Sequence, residues 1–445
     1  MSRKNNRQPD LTPFDRYRIP PKQNLFFMPA IWFLCWLFTR SGKLRINKVR
    51  MKGLKPPFLV LGTHHAFMDF YVTPLALFPY RANYISELEG FEAFGEWLYK
   101  QAGCLGTRKF VNDIALIKNI KKVTDRKGIL VMYPEARYAN VGTNSELPQS
   151  VGKLAKLLNV PVVVINMRGN YLQSPIWNLT KRKGVRLDTT ITQVFTAEEL
   201  QNATVSEINS RLSEYLKYDE YRWQFETKQA ITYEKRAEGL ELVLYKCPEC
   251  KKEFAIETEL ADIHCKSCGS HWYMTAYGRL EKYEDKRPYD FSVSEKNSIH
   301  IPDWYEWQRK CVEQEIDNGE YSLETKVHIE ALPNAVNFID LGTGTLKHET
   351  SGFSLTFRDF GQNKETTLEF PSATMLSVHT EYDYRGKGQC ITLSSLDNTY
   401  FLFPVEQTDP KNIFNANPFY HAYFSCHQAF TTCLYYYFSF PAVNF

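Results

Sequence analysis

Phe58-Leu59-Val60-Leu61-Gly62-Thr63-His64-His65-Ala66-Phe67-Met68-Asp69 is the stretch on which the reading of this chain turns. Its first four residues are an uninterrupted apolar run behind Pro56-Pro57, the pattern of a short buried strand. A histidine then leaves the strand end and an aspartate follows five positions later. An imidazole acts as a general base when a carboxylate fixes its tautomer and stabilises the imidazolium formed on taking a proton from a hydroxyl. His64 and Asp69 are therefore the candidate catalytic pair. A His and an Asp at this spacing also arise by chance, so the pair needs support from elsewhere in the chain.

Further along, Asn83 to Ile85, Ile129 to Tyr133 and Val160 to Ile165 read as strands. Phe91 to Lys100, Asp113 to Arg126 and Gln149 to Leu158 read as helices. Such alternation implies an α/β layer, a mainly parallel sheet flanked by helices. Functional groups in such sheets collect at the carboxyl ends of the strands.

Four blocks in this region, taken together, resemble the glycerolipid acyltransferase family, whose best-known members acylate 1-acylglycerol-3-phosphate. His64 and Asp69 match its His-x4-Asp motif. Gly103-Cys104-Leu105-Gly106-Thr107-Arg108-Lys109 resembles its second block, a glycine followed by a basic residue that holds the acceptor's phosphate. Leu130-Val131-Met132-Tyr133-Pro134-Glu135-Ala136-Arg137 resembles the third, a strand ending in Phe-Pro-Glu-Gly-Thr-Arg. Val160-Pro161-Val162-Val163-Val164-Ile165 matches the fourth, a proline-containing apolar strand. Order and spacing agree over roughly residues 55 to 170. The departures are local: Thr63 stands where the family usually has Asn, Ala66 where it often has Ser, Arg108 falls one position early, and Arg137 follows Glu135 by two residues instead of three.

The resemblance implies that His64 is the general base and that Arg108 or Lys109 holds the acceptor, with Glu135 and Arg137 also at the substrate. The donor it implies is an acyl thioester (acyl-CoA or acyl carrier protein) or an acyl phosphate, and the acceptor a lysophospholipid. His65 sits four residues from Asp69 and reads as packing or a loop hydrogen bond. Cys104, with no histidine near it in sequence, reads as a small buried thiol.

Charge is unevenly placed. The formal net charge is +4, but residues 1–55 hold 13 Lys or Arg against two Asp, so the remainder is acidic on balance. A basic arm of this kind suits anionic lipid or nucleic acid. The uncharged run from Leu25 to Phe38 decides for lipid. As a helix it reaches about 21 Å, short of the roughly 30 Å hydrocarbon core, and basic residues flank it on both sides. It reads as an interfacial, monotopic anchor on the cytoplasmic face of a membrane, with a buried core helix as the alternative. The 27 Tyr and 30 Phe suit such an interface. No nucleic-acid partner is expected.

Cys247-Pro248-Glu249-Cys250 and Cys265-Lys266-Ser267-Cys268 are two Cys-x2-Cys knuckles 14 residues apart. Each can present two thiolates at about 2.3 Å to one tetrahedral Zn²⁺. Four thiolates leave no open position, so the expected zinc is structural. Tyr245, Phe254, Trp272 and Tyr273 would give this ribbon its only core. Beyond it, Glu281 to Pro288 reads as a linker and Pro302 to Asp317 as a helix. Seven short strands from Lys326 to Phe403 and an aromatic helix from Pro418 to Tyr437 fit a small β-barrel or sandwich, in an order loosely similar to a pleckstrin-homology-type module.

The expected organisation is thus a basic N-terminal arm with an interfacial apolar helix (1–55), an α/β acyltransferase domain (56–235), a small zinc ribbon (240–280), a linker and helix (281–325) and a β-rich C-terminal domain with a terminal helix (326–445). The expected activity is membrane-associated O-acyl transfer to 1-acylglycerol-3-phosphate, making phosphatidic acid. The alternatives are another lysophospholipid or lipid alcohol as acceptor, or a non-catalytic membrane adaptor on a degenerate acyltransferase fold.

Overall fold

The computed structural model describes residues 11–405, apart from 293, 360–363 and 376. Its first sheet has seven strands: β1 (Arg45–Val49), β2 (Phe58–Gly62), β3 (Asn83–Glu87), β4 (Cys104–Thr107), β5 (Ile129–Met132), β6 (Val162–Arg168) and β7 (Asp188–Phe195). They lie in the order β1-β7-β6-β2-β5-β3-β4. All neighbours run parallel except β6 and β7.

β2 is central, and each of its residues is buried. Its side chains alternate between two cores, as the period of two requires. Leu59 and Leu61 join a core closed by the helices Ile114–Asp125, Ser150–Leu158 and Val205–Leu216. Phe58 and Val60 join the opposite one, closed by the helix Asp69–Leu77. Burial on both faces is why the run carries no polar residue. Five of these strands, β2 to β6, run parallel in the middle and at one side of the sheet, so their carboxyl ends share one rim.

Described residues of the basic N-terminal segment pack on the α/β sheet. Arg45–Val49 pairs along β7 as an edge strand, and its polar, exposed pattern is that of a sheet edge. Residues upstream lie along the β3–β4 side: the Asn83 amide donates to Pro21 O at 2.7 Å and Arg126 to Pro20 O and Pro21 O at 2.6 Å each. Between these segments a 3-10 turn (Leu25–Phe27), the helix Met28–Thr39 and a second 3-10 turn (Arg40–Gly42) follow one another without a break. Leu25–Gly42 is long and apolar enough to cross a membrane by length and composition. One side of it packs on the domain, with Trp32 against Phe78 and Phe38 stacked on Tyr71. Phe26, Phe33, Leu34 and Trp36 face outward.

The two cysteine knuckles belong to a five-stranded antiparallel sheet in chain order: β8 (Ile256–Glu259), β9 (Asp262–Cys265), β10 (His271–Met274), β11 (Arg279–Tyr283) and β12 (Ser298–His300). The stretch read as a linker therefore begins inside β11, where Glu281 pairs with Tyr273. Its charge misled because Glu281 is buried and accepts from Ser292 Oγ at 2.7 Å. The helix Ile301–Asp317 follows and sets Trp304 against Trp272 at 5.0 Å.

A second seven-stranded sheet, wholly antiparallel, comprises β13 (Leu323–Ala331), β14 (Ile339–Glu349), β15 (Gly352–Asp359), β16 (Lys364–Pro371), β17 (His379–Glu381), β18 (Cys390–Ser394) and β19 (Thr399–Pro404). The order β16-β15-β14-β13-β19-β18-β17 joins two meanders through the β13–β19 pair. The expected terminal helix, Pro418 to Tyr437, and the aromatic Tyr435 to Phe438 lie outside the described residues. One continuous core runs from Ala139 and Tyr171, through Trp272 and Trp304, to Val327 and Leu393. The ribbon thus does not rest on its own four aromatics. It is wedged between the α/β layer and the β-rich sheet, sharing apolar surface with both.

Candidate active site

Five strand ends converge on one rim: His64 follows β2, Glu87 ends β3, Arg108 and Lys109 follow β4, Glu135 follows β5 and Asn170 follows β6. At its centre the His64 ring sits 3.1 Å from Asp69, Nδ1 to Oδ2. The same carboxylate oxygen accepts the backbone N–H of His65 at 2.7 Å and of Ala66 at 3.2 Å. Its other oxygen accepts from the Asn170 amide at 2.7 Å. Asp69 is fully buried and opens the helix Asp69–Leu77, where the helix dipole favours an anion. A carboxylate can only accept, so Nδ1 is the donor in this bond, which leaves Nε2 as the lone-pair nitrogen of the neutral ring. That is the tautomer a base needs.

Two tyrosines hold the ring in plane. Tyr133 stacks on it at 4.5 Å and 16°, and Tyr138 lies at 4.5 Å on a tilt. Tyr133 reaches this place only because residue 62 is glycine: a Cβ there would come within 2.6 Å of the Tyr133 ring. Its hydroxyl is fixed by Thr73 at 2.8 Å. The His64 side chain is 12% exposed. Thr63, a departure from the family pattern, accepts the Met167 N–H at 3.1 Å and ties the segment to β6.

Glu135 is a clamp within the fold. Its Oε1 accepts the His64 N–H at 3.3 Å, and its Oε2 accepts the Ser145 N–H at 2.7 Å and the Tyr218 hydroxyl at 3.1 Å. Burial pushes its carboxyl up to about 7, with those donors pulling the other way. Next to it Ala136 has a φ of 54°, a left-handed conformation that favours glycine. The family's block has Gly at this place, and the backbone makes the glycine-like turn although the residue is Ala. Arg137 is buried, donates from Nε to Ser145 Oγ at 3.1 Å, and has Tyr305, Glu135, Tyr218 and Tyr382 within electrostatic range.

Arg108 and Lys109 part company. Arg108 donates to Leu332 O at 2.8 Å, Thr399 Oγ1 at 3.0 Å, Pro333 O at 2.7 Å and Asp397 O at 3.0 Å. Its guanidinium thus fastens the α/β layer to the β-rich sheet, where four of its N–H donors already have acceptors. Burial pushes it down to about 10. Lys109 forms an ion pair with Glu87. Burial works against its charge, but Glu87 and Glu89 outweigh that and hold the ammonium above its usual range.

His65 is fully buried against Tyr218 at 3.9 Å, and burial holds it well below the ordinary imidazole range. It is a neutral packing residue. Cys104 is an ordinary thiol that burial pushes up to about 12. Sequence reasoning missed Asn170, Tyr133 and Glu87. Each comes from a different strand end, and only strand order brings it to His64 or Lys109. A Tyr directly before the Pro-Glu of the third block was the nearest available signal.

In the ribbon the Sγ atoms of Cys247, Cys250, Cys265 and Cys268 all lie within 4.8 Å of one another. Cys247 to Cys268 is 3.8 Å and Cys250 to Cys265 is 3.7 Å. Thiolates at zinc–sulfur bonding distance on a tetrahedron stand about 3.8 Å apart, so the four could hold a metal ion such as zinc. His264 is turned to Glu257 at 3.2 Å.

No protein-family model matches the chain, and no curated protein is similar to it in sequence. Among solved structures it is similar to the 1-acyl-sn-glycerophosphate (LPA) acyltransferase PlsC from Thermotoga maritima. That similarity has a TM-score of 0.36 at 15% identity, over 43% of this chain and 77% of that one.

Proposed function

We propose that this chain is a membrane-associated O-acyltransferase that moves a fatty acyl group to the hydroxyl of a lipid. The observation that carries the reading is an imidazole held through Nδ1 by a buried carboxylate at the rim where five strands end. Nε2 of His64 takes the proton of the acceptor hydroxyl while Asp69 steadies the imidazolium. The oxygen attacks the acyl carbonyl carbon, and collapse of the tetrahedral adduct breaks the carbon–sulfur bond of a thioester. The leaving thiolate recovers the proton from His64, and the ester is complete. The donor is acyl-CoA or an acyl carrier protein, with acyl phosphate as the oxygen counterpart. Lysophosphatidate is the acceptor implied by the family resemblance.

The outward aromatic side of Leu25–Gly42, with Arg18 and Lys22 before it, Arg40 near its end and Lys43 just after, would lie in the headgroup layer of a membrane's cytoplasmic face. The four cysteines would hold a structural Zn²⁺, deprotonated on binding. Purified protein supplied with palmitoyl-CoA and a set of lysolipids tests the reading, with His64→Ala alongside. Ester formation that falls roughly a thousandfold in the variant is expected. Equal rates would remove His64 as the base, and no product from any acceptor would favour an adaptor.

A further inference from the structure

In 1-acylglycerol-3-phosphate the reacting hydroxyl and the phosphate sit on neighbouring glycerol carbons. A phosphate bound productively would therefore lie beside the His64 ring, and would need cationic donors there. Among the described residues, the three cations that the second and third blocks bring to this side already have partners. Arg108 gives four hydrogen bonds to the β-rich sheet. Lys109 is paired with Glu87. Arg137 bonds Ser145 and has Glu135 and three phenols around it.

The same side also carries negative charge. Glu87 and Glu381 both lie within electrostatic range of Lys109 and of Tyr138, the ring tilted over His64. Glu381 comes from β17 and is held by His379 at 2.7 Å. A dianion entering here would have to break an ion pair and then face both carboxylates at reduced dielectric.

We infer that the acceptor of this site is a lipid alcohol of no net charge, a zwitterionic lysophospholipid or a monoacylglycerol, and not one with a free phosphomonoester. This rests on the acyl-transfer reading above and narrows it. A phosphodiester bears a single negative charge in place of two and so meets less repulsion from Glu87 and Glu381, whereas a monoacylglycerol asks for no ion at all. Glu381 makes the β-rich sheet a part of the selectivity, not a remote attachment.

Initial rates of the full chain with palmitoyl-CoA test this against lysophosphatidate, lysophosphatidylcholine and monoacylglycerol. The expected result is that one of the last two is used at least roughly tenfold faster than lysophosphatidate. Lysophosphatidate used best, and lost in His64→Ala, would overturn the inference and leave the acyltransferase reading standing. No product from any of the three would sink both. Glu87→Gln, which removes the partner of Lys109, should raise the ratio of lysophosphatidate to lysophosphatidylcholine turnover several-fold; an unchanged ratio counts against the charge argument. A binding measurement avoids reliance on that variant's folding. Glycerol 3-phosphate at millimolar concentration should give the wild-type protein no saturable thermal stabilisation, and a saturable one would overturn the inference.

Discussion

The carboxylate that holds His64 lies in the next turn of chain, five residues on, while the groups that hold Arg108 lie 224 to 291 residues further along. Both were candidates for one reaction, and both sit just past a parallel strand. The dyad side is built from its own backbone: two successive N–H groups, the imidazole and a helix N-terminus all converge on Asp69. The cation side is built from other parts of the molecule, and its charges are claimed by them. A motif read in sequence keeps its meaning when its partners are local. It loses it when a later domain can take the side chain for another purpose.

The largest effect expected from this contrast is at Asp69. Asp69→Asn keeps the shape but can present an N–H to Nδ1, favouring the tautomer with its hydrogen on Nε2. Acyl-transfer rates should fall on the order of a thousandfold, with the acceptor KM little changed. A rate within about tenfold of wild type would mean that the imidazole is oriented by Tyr133 and Tyr138 alone.

The ribbon offers a second local assembly. Cys250 is exposed, so Cys250→Ser in a metal-free protein would change stability by less than about 0.5 kcal/mol. With zinc bound, the same substitution should release the metal and lower Tm by roughly 10 °C, since the ribbon shares its core with both flanking sheets. Zinc content and a melting curve on one sample distinguish these outcomes.

Arg108→Ala tests the other half of the comparison. It leaves three carbonyls and a hydroxyl without their donor, at about 1 kcal/mol each, so a loss of roughly 4 kcal/mol is expected. The acceptor KM should move by no more than about twofold. A large rise in KM with unchanged Tm would return Arg108 to the substrate side and make the contrast collapse.

The same contrast explains what could be read from the letters. The strands Phe58–Gly62 and Ile129–Met132, and the first four residues of Val162–Arg168, announce themselves because burial on both faces demands uninterrupted apolar residues; Asn83–Glu87, with Asn, Ser and Glu among its five residues, is legible only over Tyr84 and Ile85. Arg45–Val49 and Asp188–Phe195 do not announce themselves. The first is an exposed edge, and the second, with three threonines among its eight residues, alternates in a way that a polar loop can imitate. In the C-terminal sheet hairpin spacing was informative, and seven expected strands correspond to seven observed ones with ends a few residues apart. At the site the His64–Asp69 pair was legible, whereas the Asn170 contact to Asp69 depends on β6 lying beside β2. Strand order is a non-local property. No spacing in the sequence encodes it directly.

The smallest effect expected is at Ala136, and it asks whether the third block is as self-contained as the dyad. A non-glycine residue in the left-handed region carries a penalty of about 1 kcal/mol, while a glycine raises the entropy of the unfolded chain by somewhat less. Ala136→Gly should therefore stabilise the protein by about 0.5 kcal/mol and leave its turnover unchanged. Such a gain would mean that the turn after Glu135 is strained by its own side chain and kept by the bonds of Glu135 to His64, Ser145 and Tyr218. A loss of stability would mean that the Ala136 methyl packs favourably enough to outweigh the strain, and that this loop, unlike the segment around His64, owes its shape to its neighbours.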